Sequence, residues 1–155
     1  MKKIIMLLGY VFLAVIVLAI AGAASVAIMG KRLDKESKGY VDAALPAIIT
    51  EWDISELQKR ASPEFDASVD YDDLEDYFES LRELGKLEEY QGSTGDSNIT
   101  ISPGGYEITA DYTATADFEK GSVELQVSLI KHNGSWQILD FRVNPEESTE
   151  RKDVI

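Results

Sequence analysis

Residues 4–30 carry no charge, and apolar side chains dominate them. Ile4 to Met29 is 26 residues, or ~39 Å as a helix at ~1.5 Å per residue. A bilayer hydrocarbon core is ~30 Å, so the run predicts a tilted transmembrane helix. Lys2 and Lys3 precede it, as in an export signal. A cleavable signal peptide is the alternative, because Ala21-Gly22-Ala23 and Ser25-Val26-Ala27 offer small-residue cleavage sites. The apolar core of a signal peptide is ~7–15 residues. The extra length favours a signal-anchor that stays attached. A pilin-type processing site needs Glu at the fifth position after its Gly. Counting from Gly9, that position is Ala14.

Residues 31–39, KRLDKESKG, are charged and read as a juxtamembrane segment, helical or a short linker. Val41, Leu45, Ile48, Ile49 and Trp52 then repeat at helical spacing. Pro46 marks a first turn or a kink. Asp53 and Glu56 match a capping box, so a second short helix is expected, ending before Ser62-Pro63. Residues 64–73 are acidic and loop-like. Leu74, Tyr77, Phe78, Leu81 and Leu84 form a third stripe, with Gly85 at the C-terminal cap position.

Past Gly85 the period becomes two. KLEEYQG suggests one strand, and Ile99 with Ile101 a second short one. Tyr106 to Phe118 alternates strictly and predicts a long strand. Val123 to Ile130 follows, then the hairpin signal Asn133-Gly134 and a last strand from Trp136 to Val143. The expected fold is α+β: an N-terminal transmembrane helix, then two to three helices packed on a curved, cone-like antiparallel sheet. The expected organisation is an anchor or signal at 1–30, a linker at 31–39, the domain at 40–144 and a polar tail at 145–155.

Composition narrows the function. The chain is 45% hydrophobic and 28% charged, ordinary for a globular domain. Its net charge is −13, which argues against binding nucleic acid through phosphates. There is no cysteine and one histidine. This excludes disulfides, thiolate metal sites, a Cys nucleophile and multi-histidine metal centres. Lysines and arginines flank the apolar run on both sides, so positive charge alone does not orient it. The export-like start places residues 31–155 outside the cytoplasm, periplasmic or at the cell surface.

The element order, with Ile54-Ser55-Glu56-Leu57, Ser62-Pro63-Glu64-Phe65, Phe78 through Leu84-Gly85, and the ending Val127-Ser128-Leu129-Ile130-Lys131-His132-Asn133-Gly134-Ser135-Trp136-Gln137-Ile138-Leu139-Asp140-Phe141-Arg142-Val143, resembles small exported bacterial members of the nuclear transport factor 2-like, or cystatin-like cone, superfamily. The resemblance spans roughly residues 40–144. It implies a fold and leaves the activity open, since isomerases, dehydratases, transport factors and secretion subunits share it.

Candidate chemistry is sparse. Asp70-Tyr71-Asp72-Asp73-Leu74-Glu75-Asp76 fails the calcium-loop pattern, because Leu74 and Leu81 fall where ligands belong. The acids suit a helix start instead. No metal site and no cofactor are expected. His132 sits beside a hairpin turn without the partners of a catalytic base. Family isomerases use a carboxylate facing the cone interior. Asp140 shares parity with Trp136 and Ile138, so it is the only catalytic candidate; Asp111 and Asp117 alternate outward. Tyr90, Tyr106, Tyr112, Phe118 and Trp136 are the binding candidates, as a cavity lining or as plain core. Asn98-Ile99-Thr100 and Asn133-Gly134-Ser135 match the glycosylation pattern, which has meaning only in a eukaryotic secretory pathway.

These features point to a membrane-anchored, non-catalytic binding or assembly domain of the cell envelope. An enzyme using a cone pocket is the alternative, and an accessory subunit packing its small-residue stretch, Ala19 to Ala27, inside a membrane complex is a lesser one. The expected partners are the membrane, through residues 4–29, and a protein. Residues 31–155 hold 13 basic and 28 acidic side chains, a net −15, which suits a basic partner. Nothing in the sequence sets the oligomeric state.

Overall fold

A computed structural model describes residues 2–146. The expected polar tail, 145–155, lies outside the described residues from 147 onward. The chain divides into two compact units, the first ending at Leu33 and the second beginning at Asp34. Helix α1 (Lys2–Ile49) belongs to both.

In the first unit α1 is apolar all round. Its most apolar window reaches a mean hydropathy of 2.8 with none of it buried, so the helix is long and apolar enough to cross a membrane. Phe12, Leu18, Val26 and Ile28 all face outward. A helix that is apolar all round calls for an apolar surrounding on every side.

The second unit opens with Asp34–Ile49, where the pattern becomes amphipathic. Val41, Ala44, Leu45, Ile48 and Ile49 are buried. Residues 31–39 are helical throughout, and from Asp34 they are part of the folded unit. Pro46 is accommodated inside α1 without ending it. The helix ends at Ile49, and three residues on Trp52 adopts a left-handed φ of 48°. The Asp53 amide then donates to the Ile48 carbonyl at 2.9 Å. Left-handed backbone costs a non-glycine residue ~1–2 kcal/mol. Burial of the indole offsets that cost: it stacks on Phe118 at 5.4 Å and meets Phe78 edge-on at 5.5 Å. Arg82 closes the end, donating to the Trp52 carbonyl at 2.8 Å.

Three short helices follow: α2 (Ile54–Gln58), α3 (Pro63–Ser68) and α4 (Tyr71–Arg82). Asp53 caps α2 by accepting from the Ser55 amide at 2.8 Å. Only half of the expected capping box forms, because Glu56 turns instead to Lys59 and Arg60, each at 2.6 Å. The sequence reads 64–73 as a loop, yet α3 lies there. Ser62 caps it, Pro63 starts it, and Phe65 is its buried anchor. Asp70 caps α4, and Gly85 ends that region at φ +84°.

The sheet is an open antiparallel meander in the order β1-β2-β3-β4: β1 (Leu87–Ser102), β2 (Gly105–Phe118), β3 (Gly121–His132) and β4 (Ser135–Pro145). The two short strands expected before residue 102 are one strand, interrupted by register shifts between Leu87 and Glu89 and between Tyr90 and Ser93. A bulge breaks alternation just as a turn does, so the pattern looks like two pieces. Pro145 ends β4 rather than opening the tail, pairing with Val123. The inner face of the sheet is buried through Ala110, Tyr112, Ala114, Ala116 and Phe118 on β2 and Val123, Leu125, Val127 and Leu129 on β3.

Both sheet edges are partly covered. On the β4 edge, Ala61 bridges Ile138, with Ile138 N donating to Arg60 O at 2.7 Å and Ser62 N to Ile138 O at 2.8 Å. On the β1 edge the cover is side-chain carboxylates from α1, described below. The β1–β2 hairpin runs on past the rest of the sheet. Its pairing continues to Ser102 and Gly105, while β2 and β3 pair only from Thr109 and Ile130. Residues 98–107 form a two-stranded arm, exposed throughout.

Candidate functional site

The structure does not gather the five candidate aromatic residues into one cavity. Phe118 stacks on Trp52 in the core. Tyr112 is 3% exposed and bonds to α1, while Tyr106, on the same strand face, is 74% exposed on the arm. Tyr90 bonds to Asp42. Trp136 is buried, its ring under the Lys131 ammonium at 5.2 Å.

Asp140 does not point inward. β3 and β4 slip register between Ser128 and Leu129: Ser128 faces Asp140, but Leu129 faces Ile138. Leu139 is the extra residue, and the bulge reverses the parity of everything after it. Phe141 and Val143 become the buried side chains, and Asp140 turns to the outer face. There its carboxylate pairs with Arg142 at 2.8 Å. Both line a shallow outer-face hollow of about 410 Å³, with Asp111, Thr113, Gln126 and Ser128 among its walls. The Ser128 hydroxyl donates to Asp111 at 2.5 Å. The absent side chain of Gly95 is part of that floor. A Cβ there would fall 1.9 Å from the Asp111 carbonyl oxygen. The hollow presents hydroxyls, an amide and a paired guanidinium, a surface suited to polar recognition.

A second hollow, of about 510 Å³, lies between α3 and the β3–β4 turn and is lined by Pro63, Glu64, His132 and Gln137. His132 Nε2 lies 3.0 Å from Glu64. Hydrogen bonds accepted from its own backbone amide and from Ser62, then the His132 contact, hold the Glu64 carboxyl below the usual range. The acidic stretch at 70–76 caps α4, and among the described residues no group of His, Asp and Glu is arranged to hold a metal ion.

The polar cluster that sequence reasoning missed joins α1 to the free edge of β1. Asp42 accepts from the Ser93 amide at 3.0 Å, the Ser93 hydroxyl at 2.7 Å, Tyr90 at 2.9 Å and Lys38 at 2.7 Å. Lys38 also donates to the Ser93 carbonyl at 2.6 Å. Eight residues earlier, Asp34 accepts from the Ser97 amide at 2.8 Å and from its hydroxyl at 2.5 Å. Eight helical residues rise ~12 Å, and four strand residues rise ~13 Å. The spacing of Asp34 and Asp42 on α1 therefore matches that of Ser97 and Ser93 on β1. Tyr112 adds a third tie, sharing a hydrogen bond with Ser37 at 2.8 Å and donating to the Asp34 carbonyl at 3.2 Å. Burial raises the Asp42 carboxyl, but hydrogen bonds from Lys38, Ser93 and Tyr90 and the Lys38 charge outweigh it and leave the group lowered. The Ser97 hydroxyl and then its amide lower Asp34. Burial and the Asp42 bond push the Tyr90 phenol up. These groups hold helix and sheet together. An Asp eight residues from another, far from two serines four apart, gives no local sign of pairing.

No family model, curated protein or solved structure matches this chain.

Proposed function

We propose that the chain is a membrane-anchored binding or assembly module of the cell envelope, built on a nuclear transport factor 2-like plan and not catalytic. Residues 4–29 enter the bilayer, and the domain from Asp34 onward stands on the extracytoplasmic side. One observation carries this reading. An uncharged 26-residue run ends four residues before a domain that holds 9 basic and 25 acidic side chains between residues 34 and 146, a net −16. A surface of that charge is repelled by anionic lipid and nucleic acid, and attracts basic protein surfaces or cations. The partner surface is the polar outer face of the sheet around Gln126, Ser128 and Arg142. The carboxylates there, Asp111 and Asp140, are already hydrogen-bonded or ion-paired, which fits recognition better than proton transfer.

The anchor is tested by alkaline carbonate extraction, which leaves an integral protein in the membrane pellet. Because the chain has no cysteine, Gln126→Cys gives a single thiol. A membrane-impermeant maleimide should label it in intact cells from outside. A photo-crosslinker on the same thiol should capture one partner, more at low salt than at high salt. Turnover of a substrate by residues 31–155, abolished by Asp140→Asn with the fold intact, would instead establish the enzyme reading.

A further inference from the structure

The β1–β2 arm has an apolar face that the domain does not cover. Ile99 pairs with Ile108, and Ile101 with Tyr106. Side chains directly opposite on adjacent strands share one face, so these four form a continuous patch. Ile101 is 83% exposed. Thr100 and Glu107, also paired, lie on the other face. Residues 97–106 contain no charged side chain, the longest such run after residue 30, in a domain otherwise dense with acids.

We infer that this arm is a lipid-contacting foot, its Ile99, Ile101 and Tyr106 face, with half-buried Ile108 at its root, resting in the headgroup region of the bilayer that residues 4–29 enter. The inference rests on the anchor reading above. The root of the arm fixes its place. Ser97 bonds to Asp34, and Tyr112 bonds to the same residue. Asp34 follows Met29, the last apolar residue of the span, by five positions. Whatever path that chain takes, five residues reach at most ~17 Å, against a headgroup layer of ~5–8 Å on each side. The arm continues past Ser97 for five residues, ~16 Å. It runs opposite to the Asp34-to-Asp42 direction, because Ser93 lies at Asp42. It therefore points toward the end of the domain from which the chain leads into the apolar helix. The start of β1, at the far end of that strand from the arm, and the helix before it are densely acidic: residues 70–89 hold nine acidic and two basic side chains. A foot whose apolar face carries no charge, with Glu107 turned to the other face, lets a strongly acidic domain meet lipid with little repulsion, and tyrosine favours the interfacial layer. The depth is limited as well. The arm has no β3 partner, so its outer backbone groups need water and cannot enter hydrocarbon.

The test uses the full-length chain in vesicles of phosphatidylcholine and phosphatidylglycerol. An environment-sensitive fluorophore is attached at Ile101→Cys, with Asp76→Cys on α4 as the distal control. Fluorescence of Trp52 and Trp136 verifies the fold. A second arm variant, Tyr106→Cys, serves if Ile101→Cys fails to fold. The arm label should shift to the blue and be quenched by nitroxide lipids severalfold more than the Asp76→Cys label. Protein retained after carbonate extraction with equal quenching at both positions overturns the foot alone. Protein released by carbonate overturns the anchor and the foot together. A concentration-dependent disulfide between two Ile101→Cys chains, without lipid quenching, assigns the face to a second copy and also overturns the foot.

Discussion

Tyr112 and Tyr106 lie six residues apart on the same face of β2, in one unbroken alternation, and their surroundings are opposite. Tyr112 is in the core, with its hydroxyl tied to Ser37 and Asp34. Tyr106 is in the open, on a ribbon that β3 does not reach. The difference teaches that alternation determines which side chains share a face, while burial depends on what covers that face. Over residues 110–118 the partnered sheet and the α1 segment 34–49 supply the cover. At Tyr106, on the arm, the domain supplies none.

The comparison breaks most visibly at Tyr112. Tyr112→Ala should destabilise the domain by ~3–5 kcal/mol, since it empties a core site and unties the helix. Denaturant unfolding of the detergent-solubilised chain, followed by fluorescence of the two buried tryptophans, measures it. Gly95→Ala comes next. Its new Cβ collides with the Asp111 carbonyl, a backbone atom that has little room to move. A loss of about 1–3 kcal/mol is expected in the same assay, with amide exchange accelerated along β1.

Acid sharpens the comparison from another side. Asp34 and Asp42 are both held below the ordinary aspartate value of 3.8. Their contribution is fully present above that unfolded-state value and is lost as pH falls below it through the lowered folded-state values. Ser93 and Ser97 amide exchange should therefore quicken in that acid window. Asp42→Asn should cost about 1–2 kcal/mol at neutral pH and flatten the acid response at Ser93. The smallest effect belongs to the arm. Tyr106→Ala and Ile101→Ser should leave unfolding within ~0.5 kcal/mol of the parent chain. A larger loss would mean that the arm folds back onto the domain in solution.

Much of this architecture is legible in the chain. The stripes Val41–Trp52 and Leu74–Leu84, and the alternation of β2 and β3, announce themselves because each repeats a local period against one buried face. What stays hidden is non-local or depends on a single residue. Leu139 reverses the parity of β4 by being one residue too many, and nothing in its neighbours marks it. That one residue moves Asp140 from the expected interior to an outer-face ion pair. α3 is missed because six residues with one buried anchor show no periodicity. The candidate aromatics scatter because an aromatic residue's identity says neither whether it is covered, as Tyr106 shows, nor beside which other it lies. The Asp34–Ser97 and Asp42–Ser93 ties join residues 63 and 51 positions apart, beyond any window in which a pattern can be read.

Those separations also set the order of events when the chain is made. The Val41–Ile49 stripe leaves the ribosome early, but the strands that bury it come later. Ser37 waits 75 residues for Tyr112, and Glu36 waits 95 for Lys131. Closing such distant contacts is slow, because loop entropy is lost before the contacts form. A chain halted before β3 emerges presents apolar helix on both sides of Asp34, one part long and apolar enough to cross a membrane and the other bound for the core of the folded unit. Keeping the two apart is a kinetic problem, and the acids and lysines between Lys31 and Asp42 are what separates them along the chain.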